Sequence, residues 1–311
     1  MSPAAGVDAA GDAAGSDGSG HALPLTAGPY LSDKLRALDA RLRELVPRIL
    51  SPDRDDEAVH DLRVALRRTR TVLGIGRPVF GRFRVDHVRD ALRALQAATG
   101  ALRDEEVLLQ LLTSLGVAHE GVQRWIEARR RRERALRRAL KRAVETGELD
   151  RGRGLLAALL AFPVNPRRDR RLSKFARRAV SRARRRVERR RGAPVDDAAA
   201  LHGLRIAYKR LRYAAETFAE VLPDDLARLA HPAARLQNRL GAVHDADVAL
   251  ACVRRARSLT ADARAELLRA LEKLREERVA AYALAVGRRR ARTASADQAS
   301  GTDALRKTST R

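Results

Sequence analysis

Two segments of the chain, residues 58–70 and 200–213, repeat one pattern of basic residues that strongly constrains how each can fold. In both segments a histidine is followed by basic residues three, seven and ten positions later. An α-helix turns once every 3.6 residues, so these positions lie on one helix face. The first set is His60, Arg63, Arg67 and Arg70, and the second set is His202, Arg205, Lys209 and Arg212. We call these sets the first ladder and the second ladder.

Each ladder helix also has an apolar side that can be buried. The first helix carries Leu62, Leu66, Thr69 and Leu73 on that side, and the second carries Leu204, Tyr208 and Leu211. An offset of 142 residues relates the two segments and also matches Arg68 to Arg210. A single basic helix face is most often only a solvated surface. Two copies with the same histidine, spacing and apolar side indicate a duplicated unit that presents two cationic faces.

A second internal match joins residues 95–107 to residues 236–248 at an offset of 141. The aligned pairs include Gly100 with Gly241, Arg103 with His244, and Asp104 with Asp245. Glycine often ends a helix, and aspartate is a favoured N-cap. We therefore predict that each glycine ends one helix and that each aspartate begins the next.

The remaining sequence favours an all-α fold. Apolar residues recur at helical spacing, strand-like alternation does not persist anywhere, and only 3% of the residues are aromatic. We predict two related helical bundles that arise from an internal duplication. Turns are expected at residues 76–81, which include Pro78, and at residues 147–154. The predicted divisions are a disordered tail over residues 1–28, a folded domain over 29–290 with halves 29–147 and 155–290, and a disordered tail over 291–311.

The net charge indicates an anionic partner. The chain has 64 Lys and Arg against 39 Asp and Glu, which gives a formal charge of +25. Residues 124–191 hold 26 basic and 7 acidic residues, too few acids to pair the arginines. Nucleic acid, polyphosphate, anionic lipid and an acidic protein all fit this charge. Nucleic acid is the main rival to polyphosphate, although known nucleic-acid-binding motifs are absent and aromatic residues for base stacking are scarce.

The same sequence predicts a cytoplasmic protein that does not enter a membrane. The single cysteine, Cys252, allows no disulfide within the chain. The first 20 residues carry three aspartates, no basic residue and no apolar run, unlike a signal peptide. The longest apolar stretch, residues 154–164, is too short to span a bilayer.

Two kinds of chemistry compete with simple anion binding. A metal site could form from His60, His202 and His244 with Asp104 or Asp245, but the neighbouring arginines would repel a cation. A phosphate-processing enzyme would need acidic metal ligands or a nucleophile with its base. We interpret the nearby carboxylates as helix caps and surface acids. The sequence therefore predicts no metal, no cofactor and no catalysis.

These motifs resemble those of the CHAD domain, a histidine-bearing all-α domain. The resemblance rests on the His-x-x-Arg-x-x-x-basic helices at His60 and His202 and on the Gly-x-x-(Arg/His)-Asp motifs at Gly100 and Gly241, and it covers about residues 30–290. It implies a pseudo-symmetric pair of helical bundles whose basic surfaces and basic central groove or pore bind inorganic polyphosphate. The chain shows no acidic strand pattern of a CYTH-type triphosphatase. The resemblance therefore implies a stand-alone CHAD protein attached to polyphosphate granules.

The resemblance also implies roles for individual residues. Both ladders, with Arg68 and Arg210, would bind polyphosphate, and Arg103 and His244 would lie at the ends of neighbouring helices close by. Arg103 departs from the histidine of the second copy, which weakens any mechanism that needs a symmetric set of histidines but keeps a cation for phosphate. Whether the protein is a scaffold or a regulator of a polyphosphate-metabolising enzyme supplied in trans stays open, as do chain-length preference and oligomeric state.

Overall fold

The structure, a computed structural model, describes the backbone of residues 25–308 and the side chains of residues 25–287. Most of the tail predicted at residues 1–28 therefore lies outside the described residues. Residues 25–28 of that range are described, and the last two of them, Ala27 and Gly28, begin the first helix and are buried.

The described chain is almost entirely helical, which confirms the all-α prediction. The helices are α1 (Ala27–Leu50), α2 (Asp56–Phe80), α3 (Arg82–Ala91), α4 (Arg93–Ser114), α5 (Glu120–Glu145), α6 (Glu148–Ala161), α7 (Leu172–Glu188), α8 (Ala198–Thr217), α9 (Asp224–Ala227), α10 (Ala230–Arg255) and α11 (Ala261–Thr308). Between residues 25 and 308 no strand is assigned, and the one isolated β-bridge joins Thr26 to Arg171. Helix α11 continues past residue 290, where the sequence analysis placed the start of a tail.

Several helices are longer than the glycines and prolines of the sequence predict. Helix α2 continues through Gly76 and Pro78 to Phe80, α4 passes through Gly100, and α10 passes through Gly241. The predicted ends at these positions were wrong. Glycine inside a helix costs about 1 kcal/mol relative to alanine. Burial of an amphipathic face on both sides of the glycine outweighs that cost, because helices in proteins are stabilised mainly by tertiary packing.

Aspartate side chains do cap helices, but not at the predicted places. Asp104 and Asp245 lie inside α4 and α10, so their prediction as N-caps was wrong. The true caps begin the two ladder helices. The Asp55 carboxylate accepts a hydrogen bond from the Ala58 backbone N–H at 2.7 Å, and the Asp197 carboxylate accepts one from Ala200 at 2.9 Å.

The helices pack in two similar series. In the first, α2 packs between α1 and α4, and α4 packs on α5; in the second, α8 packs between α7 and α10, and α10 packs on α11. Across the two series, α2 contacts α8, α4 contacts α10, α5 contacts α11 and α1 contacts α7. The ladder helices α2 and α8 therefore lie side by side at the centre of the molecule. No helix within the described residues is long and apolar enough to cross a membrane.

Gly152 of α6 gives a direct test of the packing between α6 and the α3–α4 junction. A Cβ atom there would lie 2.3 Å from Cδ2 of Leu92, whose side chain is 1% exposed and has little room to move. We expect Gly152→Ala to lower the free energy of unfolding by about 1–3 kcal/mol in urea denaturation. Gly154→Ala is the matched control, since no atom lies within 4 Å of its Cβ position, and should stabilise by up to about 1 kcal/mol. Equal stability of the two variants would contradict this packing.

Candidate functional site

The ladder helices are positioned by their caps and by their buried sides. Each begins with an aspartate cap five residues before its ladder histidine, since Asp55 precedes His60 and Asp197 precedes His202. The residues predicted on the apolar sides are all buried, at 0% exposed for Leu62, Leu66, Thr69 and Leu73 and at most 5% for Leu204, Tyr208 and Leu211. This confirms the predicted orientation of both helices. The ladders therefore project from the faces that the cores do not use.

The two ladders converge around Lys209. Burial, followed by nearby Arg67, Arg205 and Arg63 in that order, lowers the pKa of the Lys209 ammonium to about 8. Two of these arginines come from the other ladder helix. The Lys209 ammonium makes no hydrogen bond or ion pair to any described residue. The structure thus places an unpaired, half-buried lysine among like charges from both halves of the chain.

The arginines around Lys209 also form no ion pair with a described acidic side chain. Arg63, Arg67 and Arg205 are half-buried, and in each case loss of water is the largest cause of a lowered pKa. The Nε atoms of Arg67 and Arg205 are buried and have no hydrogen-bond partner among the described residues. Arg153, by contrast, is half-buried and is paired with Asp39 at 2.9 Å. Removing a cation from water without a partner is costly, so this set is a strong candidate for binding an anion.

Two carboxylates lie near these cations, and the sequence analysis assigned them the wrong role. Asp104 of α4 and Asp245 of α10 are close enough to Arg205 to influence its charge. Loss of surrounding water raises the pKa of both carboxylates, although Asp104 stays exposed on one side, and Arg205 acts in the opposite direction. The sequence did contain one signal for their role, because Asp104 and Asp245 occupy matched positions in the internal repeat. The sequence did not show that α4 and α10 continue past them and direct them toward the ladders.

The ladder histidines differ between the halves. His202 and His244 lie together, with their Nδ1 atoms 3.3 Å apart and their ring centroids 4.5 Å apart. Burial, followed by Arg205, lowers the pKa of both rings, that of His244 to about 4. His60 is exposed, and its pKa is lowered by loss of water and by Arg63. Arg103 lies near His60, just as His244 lies near His202. Arg103 is inside α4 and His244 is inside α10, so the expectation that they lie at helix ends was wrong.

The other predicted residues lie at the edges of the cluster. Arg70 is apart from Lys209, beside Arg89 and Arg93, and its pKa is lowered by burial and by those two charges. Arg212 is already paired with Glu216 at 2.5 Å, and Arg68 and Arg210 are exposed. The structure therefore brings Arg63, Arg67, Arg205 and Lys209 together and leaves the ends of both ladders outside this group.

Sequence analysis missed one aromatic residue that supports the arginines. The Tyr213 ring, 5% exposed, lies under two guanidinium groups, with the Cζ atoms of Arg67 at 5.4 Å and Arg212 at 5.6 Å from its centroid. Such cation–π contacts orient a guanidinium without neutralising its charge. The signal was the position of Tyr213 four residues after Lys209, on the same side of α8.

Comparison with known proteins shows which family shares this fold. The CHAD domain family model matches residues 30–254. A crystal structure of the CHAD domain from the plant Ricinus communis is 22% identical, with a TM-score of 0.60 over 85% of this chain and 90% of that one. PptA from Streptomyces chartreusis is 19% identical, with a TM-score of 0.63 over 85% of this chain and 98% of that one. No curated protein sequence matches the chain significantly. The family model covers most of the chain and the two solved structures share its fold, and we conclude that the chain belongs to the CHAD domain family, which is linked to polyphosphate or triphosphate binding.

Proposed function

We propose that this protein binds inorganic polyphosphate between its two ladders, without catalysis, and that this binding attaches it to polyphosphate granules. The observation that carries the proposal is the convergence of unpaired, half-buried cations from both ladder helices around Lys209. In the free protein these charges have lost water and gained no acidic partner. A polyanion would supply the missing partner, and family membership favours polyphosphate as that anion.

Polyphosphate fits the site because it is a flexible strand of repeated charges with no bases. Arginine offers forked donors that match phosphate oxygens, and it stays charged at all relevant pH values. Nucleic acid would fit the charge but would also need aromatic surfaces for its bases. The aromatic ring at the centre, Tyr213, is covered by Arg67 and Arg212 and is not open to stacking. The site therefore favours a polyanion without bases.

The arrangement of the helices supports an internal duplication with the site between its halves. Asp55 and Asp197 cap equivalent helices at the same offset of 142 that relates His60 to His202. Each helix of the first series also contacts its counterpart in the second. We propose that α2, α4, α8 and α10 together line a cationic groove or pore.

The proposed role is binding alone, as a scaffold or as a regulator of a polyphosphate enzyme supplied in trans. Within the described residues no three His, Cys, Asp or Glu side chains are grouped so that they could hold a metal ion. Loss of surrounding water raises the pKa of Asp104 and Asp245, and both carboxylates lie near Arg205, which disfavours a divalent ion there.

A titration of the full chain with long-chain polyphosphate tests this proposal. We expect tight binding whose affinity falls steeply with salt, as for any polyanion binder. We also expect no release of orthophosphate and no shortening of the chain, with divalent ions present or absent. A tagged protein should co-localise with granules in cells. Weak, salt-insensitive binding would refute the binding site, and steady orthophosphate release would refute the non-catalytic role.

Binding should take up protons. A bound polyanion favours the charged forms of Lys209, His202 and His244, whose pKa values burial has lowered in the free protein. Affinity should therefore rise as the pH falls from 10.5 to about 8, where the bound protein holds the Lys209 proton and the free protein does not, and again below about pH 6.5. Calorimetry in two buffers of different ionisation heat measures the uptake. Lys209→Arg, which cannot lose its proton, should abolish the uptake near pH 8, and an unchanged uptake in that variant would contradict the assignment.

A further inference from the structure

Helix α7 carries a second basic surface that lies outside the central cluster. The helix buries an apolar side made of Leu172, Phe175, Ala176, Val180, Ala183 and Val187, and it packs on the ladder helix α8. At helical spacing, Arg178, Arg182, Arg186 and Arg189 follow one another along the flank that borders this buried side. With Arg190 in the turn after the helix, we call these five residues the α7 stripe. The stripe is exposed apart from Arg186, which is partly buried.

The charges of the α7 stripe are not neutralised by neighbouring acids. No side chain of the stripe has an ion pair or hydrogen bond to another described residue, and the one arginine of α7 whose side chain is paired is Arg184, with Glu188 at 2.8 Å. The other arginine-rich helix, α5, is different. Its Arg129 and Arg137 pair with glutamates of α4 at 2.5 and 2.8 Å, and Arg124 and Arg130 pair with glutamates of α5 itself. Many arginines of α5 are therefore neutralised by acidic side chains, whereas those of the stripe are not.

The α7 stripe is continuous with the second ladder. The Nε atom of Arg190 lies 3.5 Å from the Cβ position of Gly203, the residue after His202 on α8. Arg186 lies near Arg210. The pKa of Arg186 is lowered first by burial and then by the charge of Arg210. Arg210 also acts on Lys209 at the centre of the cluster. Cationic side chains thus extend without interruption from Lys209 through Arg210 to the stripe.

We propose that the α7 stripe is an extension of the binding surface, along which a long polyphosphate chain continues after it leaves the central site. This inference rests on the proposed function and adds a path and a chain-length dependence to it. From Arg178 to Arg189 the stripe extends roughly 16 Å at the rise of an α-helix. Short chains fill the central site and do not reach the stripe, whereas long chains bind both. The stripe holds arginines and no exposed aromatic ring, as suits a strand without bases.

The test compares two triple variants of the full chain against two ligands. The stripe variant is Arg182→Gln, Arg186→Gln and Arg189→Gln. The matched control is Arg131→Gln, Arg134→Gln and Arg138→Gln, which removes three exposed and unpaired arginines from α5. The ligands are long-chain polyphosphate and tripolyphosphate, and circular dichroism confirms that each variant is folded.

We expect the stripe variant to bind long-chain polyphosphate at least about fivefold more weakly than the wild type, with tripolyphosphate affinity changed less than about twofold. The slope of log affinity against log salt should fall by about 2 for the long chain, because each single-strand phosphate contact contributes about 0.7. The α5 control should bind both ligands like the wild type. Wild-type affinity of the stripe variant for the long chain, or an equal loss in the α5 control, would overturn the inference while leaving the proposed function intact. Failure of the wild type to bind either ligand would instead overturn the proposed function and this inference with it.

Discussion

Removing four charges at the centre of the site, in the variant Arg63→Gln, Arg67→Gln, Arg205→Gln and Lys209→Gln, should weaken polyphosphate binding by at least about 100-fold at moderate salt. Each charge-assisted contact is worth about 1.5–3 kcal/mol, and about 1.4 kcal/mol corresponds to a factor of ten. The slope of log affinity against log salt should also fall by about 3. Glutamine keeps part of each side chain, and the lost charges have no acidic partner among the described residues, so the variant should stay folded.

The matched control changes four exposed arginines of α5, namely Arg131, Arg134, Arg138 and Arg142, to glutamine. It reduces the net charge of the chain by the same amount as the four-residue ladder variant. If long-range attraction to a basic protein explained binding, both variants would lose affinity equally. The proposal requires the control to bind within a few-fold of the wild type, and equal losses would count against a specific site.

Lys209→Met should change stability and binding in opposite directions. The pKa of Lys209 falls from 10.5 to about 8 on folding, since burial and three nearby arginines disfavour its charge. After allowing for solvent screening, replacing it with methionine should raise the free energy of unfolding of the free protein by about 1–2 kcal/mol. The same variant should bind polyphosphate at least about tenfold more weakly. Denaturant unfolding and a binding titration measure the two effects.

The pH dependence identifies the origin of this stability gain. Folding lowers the pKa of Lys209, so between about pH 8 and pH 10.5 the unfolded chain binds more protons than the folded one. The unfavourable charge is fully present below about pH 8 and is relieved as the pH rises. The stability difference between Lys209→Met and the wild type should therefore close above pH 10.5. A variant less stable than the wild type at neutral pH would show that Lys209 has a structural role instead.

Helical periodicity predicted the faces of the ladder helices correctly, because the period of the sequence directly reflects the geometry of the backbone. Leu62 and Thr69 are both fully buried, as expected from their positions about a third of a turn away from the first ladder. Helix ends were predicted less well. Gly100 and Gly241 stand inside long helices because the residues on both sides pack into the cores. The preference of glycine against helix is only about 1 kcal/mol, so it does not predict where tertiary packing will extend a helix past a glycine.

The interior of the site depends on tertiary contacts that the sequence does not display. The repeat identified Asp104 and Asp245 as equivalent, yet their proximity to Arg205 follows from how α4 and α10 cross the ladder helices. The contact between His202 and His244 likewise joins residues 42 positions apart. Which arginines remain unpaired was also not predictable, since Arg212 has Glu216 within its own helix while Arg205 has no such partner.

The most direct test of the central claim is a competition at equal phosphate concentration. Labelled long-chain polyphosphate, bound to the full chain, is displaced by unlabelled polyphosphate, single-stranded RNA or duplex DNA over a series of salt concentrations. The account predicts that polyphosphate displaces the label at much lower concentration than either nucleic acid at every salt concentration, and that the four-residue ladder variant no longer shows this preference. Equal displacement by RNA or DNA, with the ladder variant binding as tightly as the wild type, would contradict a polyphosphate site between the ladders.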